Sequence, residues 1–98
     1  MFKPMKSVFA VTTLSLASML LLPMGAQASP TCTKEPKSAW LSEEAMKQKV
    51  AELGYHDIRV FKTTKSGCYE IYGVNADGKK AEVYFNPVDG SVVQANVD

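Results

Sequence analysis

The sequence has little of what most enzymes and metal proteins need. Its 98 residues hold one histidine, His56, and two cysteines, Cys32 and Cys68. No G-x-S-x-G elbow occurs, so a hydrolytic nucleophile lacks its usual frame, and a four-ligand zinc cage is out of reach. A charge excess is also missing: Lys+Arg 11 stand against Asp+Glu 10, and the basic residues are scattered. A nucleic-acid footprint is therefore excluded. There is no internal repeat and no low-complexity tract. The residues present point to no catalytic set, no cofactor and no metal site.

Acidic residues are absent from the first 28 positions, which carry only Lys3 and Lys6 as charges. An uncharged, mostly apolar run from Val8 to Leu22 follows, and Ala26-Gln27-Ala28 places small residues at −3 and −1 of a cleavage site. This is the pattern of a secretory signal peptide. The run is shorter than the roughly 20 apolar residues of a membrane span, and Pro23 and Gly25 interrupt it. Cys32 is not a lipidation site, because Thr31 and Ser29 stand where a small and an apolar residue are required. Residues 1–28 are thus expected to be removed between Ala28 and Ser29, leaving a periplasmic chain without a membrane anchor.

The remaining residues, 29–98, make one small domain whose core alone gives marginal stability. Two cysteines in an exported chain are expected to pair. A Cys32–Cys68 bridge closes a loop of 36 residues, worth roughly 4 kcal/mol in the chain-entropy model.

Residues 29–38 carry two prolines and little apolar content, and form an extended arm held by Cys32. From Leu41 the spacing becomes helical. Ser42 is a good N-cap, Glu43 and Glu44 suit the positive helix end, and Met46, Val50 and Leu53 recur on one face. Leu41 can staple to Met46, and Gly54 supplies a left-handed end. These signals predict a helix over 43–53.

The period then changes to two. Strands are expected around 58–63, 69–74 and 81–86, separated by turns at Lys65-Ser66-Gly67, Asn75-Ala76-Asp77-Gly78 and Pro87-Val88-Asp89-Gly90, with a short edge strand over 91–94. Short turns require antiparallel neighbours. The predicted fold class is α+β: one N-terminal helix packed on a three- to four-stranded antiparallel meander. Strict alternation puts Ile58, Val60, Tyr69, Ile71, Ala81, Val83 and Phe85 under the helix. It leaves Arg59, Phe61, Glu70, Tyr72, Val74, Glu82 and Tyr84 on the opposite face.

Three constellations bear on chemistry. The Asn75-to-Gly78 segment fails as a calcium loop, because alignment on Gly78 puts Gly73 at the first position and Tyr84 at the twelfth. His56 has no nucleophile or orienting group in view and is expected to be an exposed polar residue. Glu70 and Glu82 fall on one face as cross-strand neighbours, with Arg59 expected to compensate their charge. Arg59, Phe61, Tyr72 and Tyr84 are the candidate partner surface, an aromatic and charge-rimmed face with no helix over it.

Trp40-Leu41, Gly54-Tyr55, Gly67-Cys68-Tyr69-Glu70, Asp77-Gly78-Lys79, Glu82-Val83-Tyr84 and Asn86-Pro87-Val88-Asp89-Gly90, in this order and spacing, resemble the PepSY family, in the form of its small exported bacterial members. The similarity covers about 38–94 and implies a helix on an antiparallel sheet over residues 39–98. It implies no catalytic residues, and a partner that is another exported or membrane protein. Since PepSY domains are named partly from peptidase propeptides, and no peptidase domain follows Asp98, modulation of a peptidase in trans is the expectation. The alternative is a ligand- or metal-binding accessory of an envelope redox or sensory system.

Overall fold

Ser42 starts the helix because its extended backbone leaves its hydroxyl free to accept a hydrogen bond from the Ala45 amide, at 3.1 Å. The computed structural model describes residues 28–98; the expected signal segment, except its last residue Ala28, lies outside them. A short 3₁₀ turn, Lys37–Ala39, leads into the helix α1, Glu43–Glu52. The strands β1, His56–Thr63, β2, Tyr69–Val74, β3, Lys80–Phe85, and β4, Val92–Val97, follow. They form one antiparallel sheet in the order β1-β2-β3-β4. The described part is α+β, with four strands, the upper end of the expected range.

One face of α1 is apolar because Met46 and Val50 stand four residues apart, about one turn. Both are buried, and they share one cluster with Tyr69, Ile71, Ala81, Val83 and Phe85. Full burial of each large side chain contributes about 1.5–3 kcal/mol. Trp40, Leu41, Tyr55 and Phe61 close the rim of the cluster. Trp40 meets Tyr69 edge-on at 5.4 Å between ring centroids, and Tyr55 meets Phe85 at 6.0 Å. The Tyr69 hydroxyl donates to the Leu41 carbonyl at 2.7 Å, which fixes the helix entry to the sheet.

The helix is slightly shorter than its spacing predicts. Leu53 is its C-cap and is half exposed, since Gly54, with φ +93°, turns the chain away before Leu53 can reach the core.

The larger correction lies in β1. Its register jumps between His56 and Val60, and Asp57 holds a φ of +49° within the irregularity. Four residue steps of β1, His56 to Val60, stand against two of β2, Val74 to Tyr72, so the irregularity holds two extra residues, and facing cannot be carried across it by simple alternation. Ile58 still leans over Gly73 on the helix side, its Cδ1 2.6 Å from where a Cβ at Gly73 would stand. Beyond the bulge Phe61 pairs with Ile71, while Val60 pairs with Tyr72 and Lys62 with Glu70. Phe61 therefore belongs to the helix side, and Val60 and Lys62 to the open side, the reverse of strict alternation. β4 also runs further than expected, pairing with β3 as far as Val97.

Cys32 and Cys68 form the expected disulfide, with Cα atoms 5.0 Å apart. The bridge is not the arm's sole anchor. Ser66 Oγ donates to the Pro30 carbonyl at 2.8 Å, the Cys32 amide to the Ser66 carbonyl at 3.1 Å, and Asn86 Nδ2 to the Cys32 carbonyl at 3.2 Å. Gly67 is needed here, because a Cβ would collide with the Thr33 carbonyl.

Candidate functional site

The sheet face turned away from α1 collects the polar members of the alternation. Glu70 on β2 lies opposite Tyr84 on β3, and Tyr72 lies opposite Glu82. Gln94 and Asn96 of β4 extend the row beside Tyr84 and Glu82. This pairing gathers two carboxyls, two phenols and an amide into one network. Glu82 is its centre: Oε2 accepts from the Tyr72 hydroxyl at 2.9 Å and from the Tyr84 hydroxyl at 2.8 Å, while Oε1 accepts from Asn96 Nδ2 at 3.2 Å.

The electrostatics follow from that geometry. Burial pushes the Glu70 carboxyl above its ordinary range; its hydrogen bond to Glu82 and the charge of Glu82 add to the rise, against the Lys62 ammonium. Lys62 Nζ stands 3.7 Å from Glu70 Oε1. Glu82 goes the other way, to about 2, chiefly through the hydrogen bond from Glu70 and then through those from Tyr84, Asn96 and Tyr72, with burial opposing. A proton held by the pair therefore sits on Glu70, and Glu82 is the carboxylate. The Tyr72 phenol is pushed up to about 12, first by its hydrogen bond to Glu82, and Tyr84 is raised as well, first by burial. Both phenols remain donors under physiological conditions.

The four residues expected to make the partner surface are not all brought together. Tyr72 is 42% exposed and presents its ring. Arg59 is exposed and lines the same depression as Tyr72, Glu82 and Asn96, across the sheet end that carries the Asn75–Gly78 turn. Tyr84 shares the face but is 4% exposed, so it supports the network rather than offering contact area. Phe61 is absent from the face altogether: the bulge sends it under the helix, where its ring lies 5.2 Å from that of Tyr69 and Lys47 Nζ sits 5.3 Å from its centroid.

Lys62, not Arg59, is the cation placed beside Glu70. Sequence reading missed it for the same reason it misplaced Phe61. Asn96 was missed because the edge strand was expected to stop at Gln94. The Glu70 and Glu82 juxtaposition was available from the alternation of β2 and β3, which carry no irregularity between them.

His56 is exposed, with Nδ1 3.3 Å from Asp57 Oδ2, and stands outside the Glu70–Glu82 network. Among the described residues no group of three His, Cys, Asp or Glu side chains comes together as a metal cage. No described helix is long and apolar enough to cross a membrane. Glu82 thus accepts three hydrogen bonds, from Tyr72, Tyr84 and Asn96, which fix its side chain on the face.

A family model described as peptidase propeptide and YPEB domain matches residues 12–96, most of the chain and all but the last residue of the sheet. The chain belongs to the PepSY family. PepSY domains are propeptide- and inhibitor-like modules of exported proteins. Neither the curated proteins nor the solved structures gave a match. The PepSY assignment and the α+β order agree: the helix, the disulfide and all of the meander but Val97 fall inside the matched range.

Proposed function

We propose that this PepSY protein is an exported, non-catalytic binding module that engages another exported or membrane protein, with modulation of a peptidase in trans as its specific form. The observation that carries the reading is the sheet face left open beside a covered core. Its exposed ring, Tyr72, is held by Glu82 and flanked by Arg59. Aromatic and arginine side chains concentrate interface energy when their surroundings are pre-organised. The residues supplied by the chain serve recognition, and the signal-peptide pattern of residues 1–28 together with the disulfide supports action in the periplasm.

The test uses protein recovered after export. Its intact mass should correspond to residues 29–98 with the bridge formed. Added to purified exported metallopeptidases, it should bind and change the rate of casein cleavage, and Tyr72→Ala or Arg59→Ala should weaken that contact by about 1 kcal/mol or more. Loss of peptidase binding with other envelope proteins still captured would overturn the peptidase form alone. Full affinity in a Tyr72→Ala, Arg59→Ala double variant would remove the open face from the reading. Strand addition, which tolerates side-chain changes, would then carry recognition.

A further inference from the structure

The two edges of the sheet are protected very differently. β1 is broken by its bulge, has Asp57 at φ +49°, and carries His56, Asp57, Arg59 and Lys62. β4 carries Val92, Val93, Gln94, Ala95, Asn96 and Val97, with no charge and no proline. Val92, Val93 and Val97 are 43%, 42% and 48% exposed. Its sole irregularity is at Val93, where the register moves from Tyr84–Gln94 to Phe85–Val92. Edge strands normally carry charges, prolines or bulges because a bare edge pairs with another strand.

The free backbone groups can be placed. The Asp98 amide donates inward to the Lys80 carbonyl at 3.1 Å. Antiparallel ladders alternate, so Asn96 and Gln94 also face β3, and Ala95 and Val97 turn their N–H and C=O groups outward. We infer that this edge pairs with β4 of a second copy of the chain, antiparallel about a twofold axis at Ala95, continuing the sheet through both copies.

The sequence of β4 selects that occupant. The strand itself carries no charge by which a foreign strand would be selected, whereas it matches itself. With Ala95 on the axis, Gln94 faces Asn96 of the second copy, amide against amide, and Val93 faces Val97 of the second copy. No like charges are opposed anywhere along 92–97. The small alanine falls where the two backbones are closest to the axis. The outward groups of Ala95 supply the central pair of hydrogen bonds, and the half-exposed valines gain apolar neighbours.

Sedimentation of the exported, disulfide-bonded protein should show a mass rising from one chain to two with concentration. Ala95→Pro removes an outward N–H and no bond to β3, so it should weaken the dimer by at least about tenfold with an unchanged circular dichroism spectrum. Should that variant misfold, Ala95→Lys serves instead, placing like charges at the axis on an exposed side chain. Ala95→Cys should form a bridge between copies, since a hydrogen-bonded antiparallel pair separates Cα atoms by about 5.5 Å, within disulfide reach. A single-chain mass up to about millimolar concentration, where even weak pairing shows, overturns the inference. So does a dimer that folded Ala95→Pro and Ala95→Lys leave intact, or one that Ala95→Cys fails to cross-link.

Discussion

The two faces of the sheet are made from the same four strands yet are held by different forces. On the helix side Ile71, Val83 and Phe85 are fully buried beneath Met46, and the strand positions are interchangeable only with apolar groups of like volume. On the open side Glu70, Tyr84 and Glu82 sit one position away from those residues, and their places are set by directed hydrogen bonds. Volume decides the first face and donor geometry the second. Damage should therefore be large and uniform on the helix side, and smaller but pH-dependent on the open side.

The sharpest break in that comparison is Phe85→Ala, which empties the floor of the core and should cost about 3–5 kcal/mol in denaturant unfolding. Next comes the bridge. Replacing Cys32 and Cys68 by serine together should cost about 2–4 kcal/mol, because the arm would retain its hydrogen bonds to Ser66 and Asn86 but no covalent anchor. Glu82→Gln should cost roughly 1–2 kcal/mol at neutral pH, since two phenols and an amide lose their charged acceptor.

The open face also makes a prediction with a sign. Glu82 titrates at about 2 in the folded state, below its unfolded value, so its contribution is present above the ordinary carboxylate range and fades as pH falls toward 2. Glu70 is raised, so its contribution is complete below the ordinary range and is lost as pH rises through its folded value. Thermal melts across pH should show Glu70→Gln relieving that loss on the alkaline side, while Phe85→Ala shifts the whole profile without changing its shape. A Glu70→Gln profile parallel to the wild type would break the comparison. The smallest stability effect belongs to Tyr72→Ala, under about 1 kcal/mol for a half-exposed ring that keeps its backbone ladder; its loss should register in partner affinity instead.

Much of this architecture was legible in the chain because the deciding signals are local. Ser42 caps the helix through its own hydroxyl, and Gly67, Gly78 and Gly90 mark the three turns. The alternation in β2 and β3 places every one of their core residues correctly. What escaped was set by pairing across strands. The bulge around Asp57 follows from the register between β1 and β2, and local periodicity carries no trace of it, so Val60 and Phe61 are expected on the wrong faces. The length of β4 follows from its ladder to β3, and the burial of Tyr84 from its neighbours on the finished sheet. Half of the candidate site was readable for this reason: Tyr72 and Glu82 lie on regular strands, whereas Lys62 and Asn96 lie beyond the first irregularity on either side.

The position of the bridge also decides how the molecule bears tension. Force applied to the arm passes at Cys32 into Cys68, directly at the head of the inner strand β2. The segment between them, 33–67, with α1 and β1, is bypassed and stays slack. If the far end of the chain is pulled as well, load enters at one end of β2 and leaves from the opposite end of β4, where Asp98 meets Lys80. The ladders between β2, β3 and β4 are then loaded in shear, with many hydrogen bonds sharing the strain at once rather than opening one by one.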